Sequence, residues 1–236
     1  MSYLERYRDG EFEQVWDELR ALGSAVREEP HYTQAREVAA ETMDRVRRNC
    51  ELIVARLQYL GYVFGTYPDG TTGYYTEGPL VAPSESMRAG ISELEAQTGA
   101  LPLSLVAFWE KVGSVDLVGM HLEWPDGLDP LVVIPPEGAL ALLDEEDTDE
   151  DIAAAGCFAG LAPDDLHKDN VSGGDPYGVV LPDPSADFVF LNERHNLPFV
   201  SYLRTAILQW GGFPGLDGKS VRFEPLGELV AGLEPF

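Results

Sequence analysis

The feature that most constrains this chain is a long amphipathic run over residues 31–60. Ala35, Val38 or Ala39, Thr42, Val46, Cys50, Ile53, Leu57 and Leu60 recur at steps of three and four and define one apolar stripe. A helix of that length is stable in water only if the stripe is covered, so the rest of the chain must supply a packed partner. Glu41 with Arg45 and Asp44 with Arg48 are spaced as i,i+4 ion pairs on the opposite face, where Arg45, Arg47 and Arg48 are expected to be solvated. Gly61 follows as a C-cap. Upstream, Asp9 is a candidate N-cap, and Phe12, Val15, Trp16, Leu19 and Leu22 form a second stripe ended by Gly23, with Pro30 marking the break. Residues 1–60 therefore read as an N-terminal helical hairpin, an extension packed on a main unit of residues 61–236.

The pattern then changes. Tyr62-Val63-Phe64 and Tyr74-Tyr75 flank Pro68-Asp69-Gly70 and suggest a β-hairpin. Ser84 can N-cap a helix carrying Met87, Ile91, Leu94 and Thr98, stopped by Gly99. Pro102 suits the first turn of the next helix, whose Leu105, Phe108, Trp109 and Val112 face a core before Gly113. Strands are expected at residues 115–120, 131–134, 177–181 and 188–191, with a last one at Val221-Arg222-Phe223. Short helices are expected at residues 137–143 and 199–210, the second with Leu203, Ala206, Ile207 and Trp210 inward. Most connections between strands are too short for repeated βαβ crossovers. The expected fold is α+β: a mainly antiparallel twisted sheet with helices packed on one face, preceded by the helical hairpin.

Charge narrows function. The chain has 236 residues, with 16 Lys plus Arg against 41 Asp plus Glu, a formal charge of −25. Residues 1–60 hold 9 basic and 12 acidic side chains, whereas residues 61–236 hold 7 and 29, so the surplus belongs to the second part. Seven of the eight residues 144–151 are acidic, a run expected to stay solvated. Such a chain is a poor match for nucleic acid or for an anionic membrane, both of which select Lys and Arg. The acidity suits a basic partner, a divalent cation or solubility. The N-terminus lacks an apolar signal core, no apolar run approaches a membrane span, and Cys50 and Cys157 form no CxxC pair. A cytoplasmic protein with reduced thiols is expected, Cys50 being a packed one.

No recognised catalytic constellation is present. None of His31, His121, His167 and His195 belongs to HExxH, and GxSxG, GxxxxGK[ST] and GxGxxG are absent. The densest polar cluster is Asp164-Asp165-Leu166-His167-Lys168-Asp169-Asn170 followed by Ser172-Gly173-Gly174-Asp175, whose spacing departs from a calcium loop. One reading makes His167, Asp169 and Asp175 ligands of a metal-dependent hydrolase. The other makes the cluster a loop that positions Tyr177. Trp124, beside His121, Pro125 and Asp126, lies in a loop context where an aromatic side chain either covers a core edge or anchors a partner.

Residues 80–210 also resemble a known family. Glu93-Leu94-Glu95, then Gly99-Ala100-Leu101-Pro102-Leu103-Ser104-Leu105-Val106-Ala107-Phe108-Trp109 and Gly113, look like the signature of the SUKH superfamily. Gly174-Asp175-Pro176-Tyr177 with Val179, Phe188-Val189-Phe190, and Phe199-Val200-Ser201-Tyr202-Leu203 are similar to its Gly-Asp loop, central strands and closing helix. The resemblance implies an α+β protein-binding domain without catalytic residues, metal or cofactor. Bacterial members resemble immunity proteins that neutralise a cognate toxin, and fungal relatives are regulators of cell-wall synthesis that act as interaction hubs. The matching positions, Leu101, Pro102, Phe108, Gly113 and Tyr177, are scaffold and carry no site across. The expectation is a stoichiometric binder of a protein partner, such as a basic toxin of nuclease type. Its contact residues would be Trp124, Asp126, Asp164, Asp165, Asp175 and Tyr177. The alternative is a general scaffold or regulator without a toxin.

Overall fold

A computed structural model describes residues 1–67, 69–72, 78–143, 157–219 and 223–236. The fold is α+β. Helices α1 (Tyr3–Arg8), α2 (Phe12–Ala21) and α3 (His31–Tyr59) come first, with a 3₁₀ turn at Gly23–Arg27. Strands β1 (Val63–Phe64) and β2 (Leu80–Val81) lead to α4 (Glu85–Thr98) and α5 (Leu103–Lys111). Next come β3 (Ser114–Asp116), β4 (Gly119–Met120), β5 (Val132–Val133) and α6 (Pro136–Ala141). Then follow β6 (Cys157–Ala162), α7 (Asp165–Lys168), β7 (Tyr177–Leu181), α8 (Phe199–Arg204) and α9 (Leu226–Val230).

The α3 stripe is buried as its spacing requires: Ala35, Val38, Ala39, Thr42, Val46, Cys50, Ile53 and Leu57 are all inside. Its end is a full Schellman motif, with Tyr62 N–H donating to Leu57 O (2.9 Å) and Gly61 N–H to Gln58 O (3.1 Å) around Gly61 at φ +87°. The helix packs on α5, α1 and α9. The N-terminal helices share one hydrophobic cluster with the rest of the chain. Trp16 Nε1 donates to Thr42 Oγ1 (3.1 Å), and Arg20 donates to the buried Asp187 carboxylate (3.0 Å). Asn49 makes reciprocal 2.8 Å bonds with the backbone of Glu234, and Arg56 donates to Leu229 O and Ala231 O (2.7 Å each), which straps the C-terminal segment onto α3.

Several local expectations differ. An α1 helix precedes α2, started by a Ser2–Glu5 capping box, and Asp9 closes α1 instead of opening α2. The Glu41–Arg45 pair forms (3.1 Å), but Arg48 turns to Glu234 (2.7 Å) and Asp44 to Lys111 (3.5 Å), because longer-range partners lie closer. Arg45 is not solvated; its guanidinium lies over the rings of Tyr7 and Phe12, 5.3 and 5.2 Å from their centroids. Pro102 precedes α5 in extended conformation rather than occupying its first turn.

All strand pairing is antiparallel, in three small sheets: β1–β4, β2–β3–β5 and β6–β7. Expected strand 115–120 is split because Asp116 Oδ1 accepts from Val118 N–H (2.9 Å), an Asx turn that sends β3 to β2 and β5 but β4 to β1. Residues 188–191 make only isolated bridges, Val189 to Pro198 and Leu191 to Gly178. β7 instead pairs with β6, a strand unannounced by its Ala- and Gly-rich sequence. The helix at 199–210 is α8 followed by a π-helical turn at Thr205–Gln209. Tyr74, Tyr75, Val221, Arg222 and the acidic run 144–151 lie outside the described residues.

Candidate functional site

The site is built where the end of α3, the β1–β4 ribbon and the loop after α7 converge. The register places Val63 opposite Met120 and Phe64 opposite Gly119. Tyr62, fixed by the α3 cap, donates its hydroxyl to Leu117 O (2.9 Å). Past β4 the chain turns back, with Trp124 N–H donating to His121 O (3.1 Å) and Glu123 N–H to His121 Nδ1 (3.2 Å). Trp124 is half-buried in an aromatic cluster, its ring centroid 4.8 Å from His121, 5.3 Å from Tyr62, 4.9 Å from Phe223 and 6.0 Å from Phe213. A cavity of about 190 Å³ opens here, lined among others by Tyr62, His121, Trp124, Asp126 and Asp169. On its lining Leu122 is 90% exposed, unusual for a large apolar side chain.

The electrostatics are negative. Asp169 is half-buried and its carboxyl is raised above the usual range, first by burial and further by Asp126 and Asp165; the Gly127 amide and Lys219 oppose this. Lys219 Nζ donates to Asp126 O at 2.7 Å. Glu123, Asp126, Asp165 and Asp175 are exposed and have no ion-pair partner among the described residues.

Behind this surface lies a closed polar network. Lys168, with no exposed side-chain surface, donates from Nζ to Asp129 Oδ1 (2.6 Å) and sits 4.5 Å above the Tyr177 ring. Tyr177 donates its hydroxyl toward Asp129 Oδ2 (3.4 Å) and accepts from Asp165 N–H (3.1 Å). Asp164 caps α7, accepting from Leu166 N–H (2.8 Å) and His167 N–H (3.2 Å) while touching the His167 ring. Tyr177 and Asp164 are therefore not surface contacts as the sequence suggested. Both are 3% exposed, and their polar atoms are consumed in holding α7 in place. Trp124, Asp126 and Asp165 are brought to one region through Asp169, whereas Asp175 is exposed in the loop before β7. Sequence reasoning missed the contributions of Tyr62, Asp129 and Lys219. No local motif marks them, since their bonds span 55 (Tyr62 to Leu117), 48 (Asp129 to Tyr177) and 93 (Lys219 to Asp126) positions.

His167, Asp169 and Asp175 do not converge; among the described residues no group of three or more His, Cys, Asp or Glu is placed to hold a metal ion. Among those residues, no helix is long and apolar enough to cross a membrane. In comparisons with known proteins, no family model, no curated protein and no solved structure matches this chain.

Beside the site, burial pushes the Asp116 carboxyl up to about 6, against the lowering effects of the Val118 amide and Lys168; among the described residues its Oδ2 has no hydrogen-bond partner. An unfolded Asp titrates at about 3.9. The folded state thus holds this proton more tightly. The contribution is most favourable below about pH 4 and is lost as pH rises through about 6. Asp116→Asn is expected to stabilise the protein by about 1–2 kcal/mol at pH 7 and by nothing measurable at pH 4. Urea titrations at the two pH values check this; equal gains at both would show that burial of the charge is not the cause.

Proposed function

We propose that this chain is a non-enzymatic binding protein of SUKH type, acting in the cytoplasm as an immunity protein that neutralises a basic, nuclease-type toxin by stoichiometric occlusion. The observation that carries the reading is the joining of exposed Leu122 and half-buried Trp124 to the carboxylates of Asp126 and Asp169, which lack ion-pair partners among the described residues. Apolar anchors ringed by uncompensated charge are the composition of a protein-docking face. Opposite fields would also speed encounter with a basic partner. The order and spacing of the motifs at residues 80–210 support the family reading.

The test uses the whole chain, tagged, in lysate of its native cell. The expected result is capture of a basic protein whose activity falls to zero at one equivalent. Asp126→Lys with Asp165→Lys, at two exposed positions, should weaken that complex roughly tenfold or more, and added salt should weaken the unaltered complex steeply. A captured partner that stays fully active at saturation would favour the scaffold reading. A complex indifferent to both salt and the charge reversals would remove the electrostatic argument.

A further inference from the structure

We infer that the notch between Tyr62, Trp124 and Asp169 receives one cationic side chain, lysine or arginine, of the partner, and that Lys219 occupies its mouth until the partner arrives. The inference rests on reading this surface as the docking face.

Size comes first. A cavity of about 190 Å³ is smaller than the roughly 300–1,000 Å³ of sites for drug-sized ligands, yet it has room for a single long side chain. The walls come next. They offer the rings of Tyr62, His121 and Trp124, the apolar residues Pro125 and Leu128, and the carboxylates of Asp126 and Asp169. Such a lining suits an alkyl stem ending in a cation, because the stem packs on apolar surface while the charged head meets acceptors. Asp169 has no ion pair among the described residues although it is half-buried, so its charge is only partly compensated. Burial, and then the charges of Asp116 and Asp169, push the hydroxyl of the wall residue Tyr62 up.

The chain itself supplies the independent observation. The Lys219 ammonium donates to Asp126 O at 2.7 Å and would lie 3.0 Å from a Cβ on Gly127, a position 3.7 Å from Asp169 Oδ2. An ammonium already stands at the acidic end of the notch, held by one backbone bond and, among the described residues, without an ion pair. This resident cation is exposed and held by a single protein acceptor, so a group that reaches both acceptors can displace it. Glycine at 127, at φ +69°, leaves the space that the ammonium uses.

The test needs no partner. The tripeptide acetyl-Gly-Arg-Gly-amide, and its citrulline counterpart of nearly the same shape without charge, are titrated into the full chain. Amide and indole shifts of Gly127 and Trp124 are read by NMR. The arginine peptide should perturb both signals in Lys219→Met, with binding roughly three- to fivefold tighter than in the unaltered chain. Asp169→Asn should abolish the response, and the citrulline peptide should give none. Two substitutions with opposite effects separate a binding role from a structural one, since a mere loss of packing would weaken binding in both. Equal response to the two peptides, shifts confined to other residues, no tighter binding in Lys219→Met, or no response in any variant would each overturn the inference. A captured protein partner whose affinity ignores both substitutions would overturn the notch and leave the binding reading intact. Clean notch binding by the peptide with no cellular partner would do the reverse.

Discussion

Lys168→Met should lower stability by about 3–5 kcal/mol, the range for removing one member of a buried ion pair. In a chain of 236 residues that corresponds to a fall in Tm of roughly 6–20 °C. Methionine fills the space of the lysine stem, so the loss isolates charge rather than volume. What remains is Asp129, 2% exposed, with no cation against Oδ1 and only the 3.4 Å contact from the Tyr177 hydroxyl at Oδ2. A carboxylate left buried in that state carries a desolvation cost that nothing offsets. Asp129→Asn in the Lys168→Met background should recover most of the loss. Asparagine tolerates the φ of +48° found at this position and carries no charge to bury. Denaturant titration of the two single variants and the double variant gives the coupling directly. A single-variant loss under about 1 kcal/mol would mean that the pair does not hold this region together. The consequence reaches the surface, because the same network positions Asp165 through the Tyr177 hydroxyl.

Gly113→Ala is expected to cost about 3 kcal/mol or more, for a reason that is purely geometric. The residue sits at φ +92°, and a Cβ there would lie 2.0 Å from Val81 O and 2.9 Å from the Ala82 carbonyl carbon. These are backbone atoms of and next to β2, which pairs Val81 with Ser114 and Leu80 with Val115, so no side-chain rotation relieves the clash. The β2–β3 pairing must open instead. Gly10, at φ +100° with nothing within 4 Å of where a Cβ would stand, is the control. Gly10→Ala should cost only the backbone strain, about 1 kcal/mol. Urea midpoints for the two variants separate conformational strain from collision; equal losses would show that the close approach to β2 is not what selects glycine at 113.

The elements most legible in the sequence were those whose signals are local. The α3 stripe, the Ser84 cap of α4, accepting from Met87 N–H at 3.1 Å, and the inward Leu105, Phe108 and Trp109 of α5 all come from spacings of three or four residues. Strands were less legible because β1, β2, β4 and β5 are two residues long, too short to show any alternation. β6 was invisible for another reason: it is built from small residues, and its burial on both faces leaves no polar alternation to read. Within the candidate site, Trp124 and Asp126 could be picked out as an aromatic and an acid in a loop. Nothing in the string Asp164-Asp165-Leu166-His167-Lys168-Asp169 told which acids would turn inward.

By itself, then, the sequence determined an α+β chain with a long covered helix, a set of capped shorter helices, and an acid surplus that falls almost entirely in residues 61–236. Only the tertiary structure decided where the charges stand. Asp129 and Lys168 meet across 39 positions and are sealed inside, and Asp164 is spent on a helix cap. Asp169 is left half-buried beside Trp124 with Lys219 at its edge. The physical reason is that hydrophobic periodicity acts within one turn of helix, whereas the energy of a charge depends on how much water and which counter-charge surround it. Both are set by segments far apart along the chain.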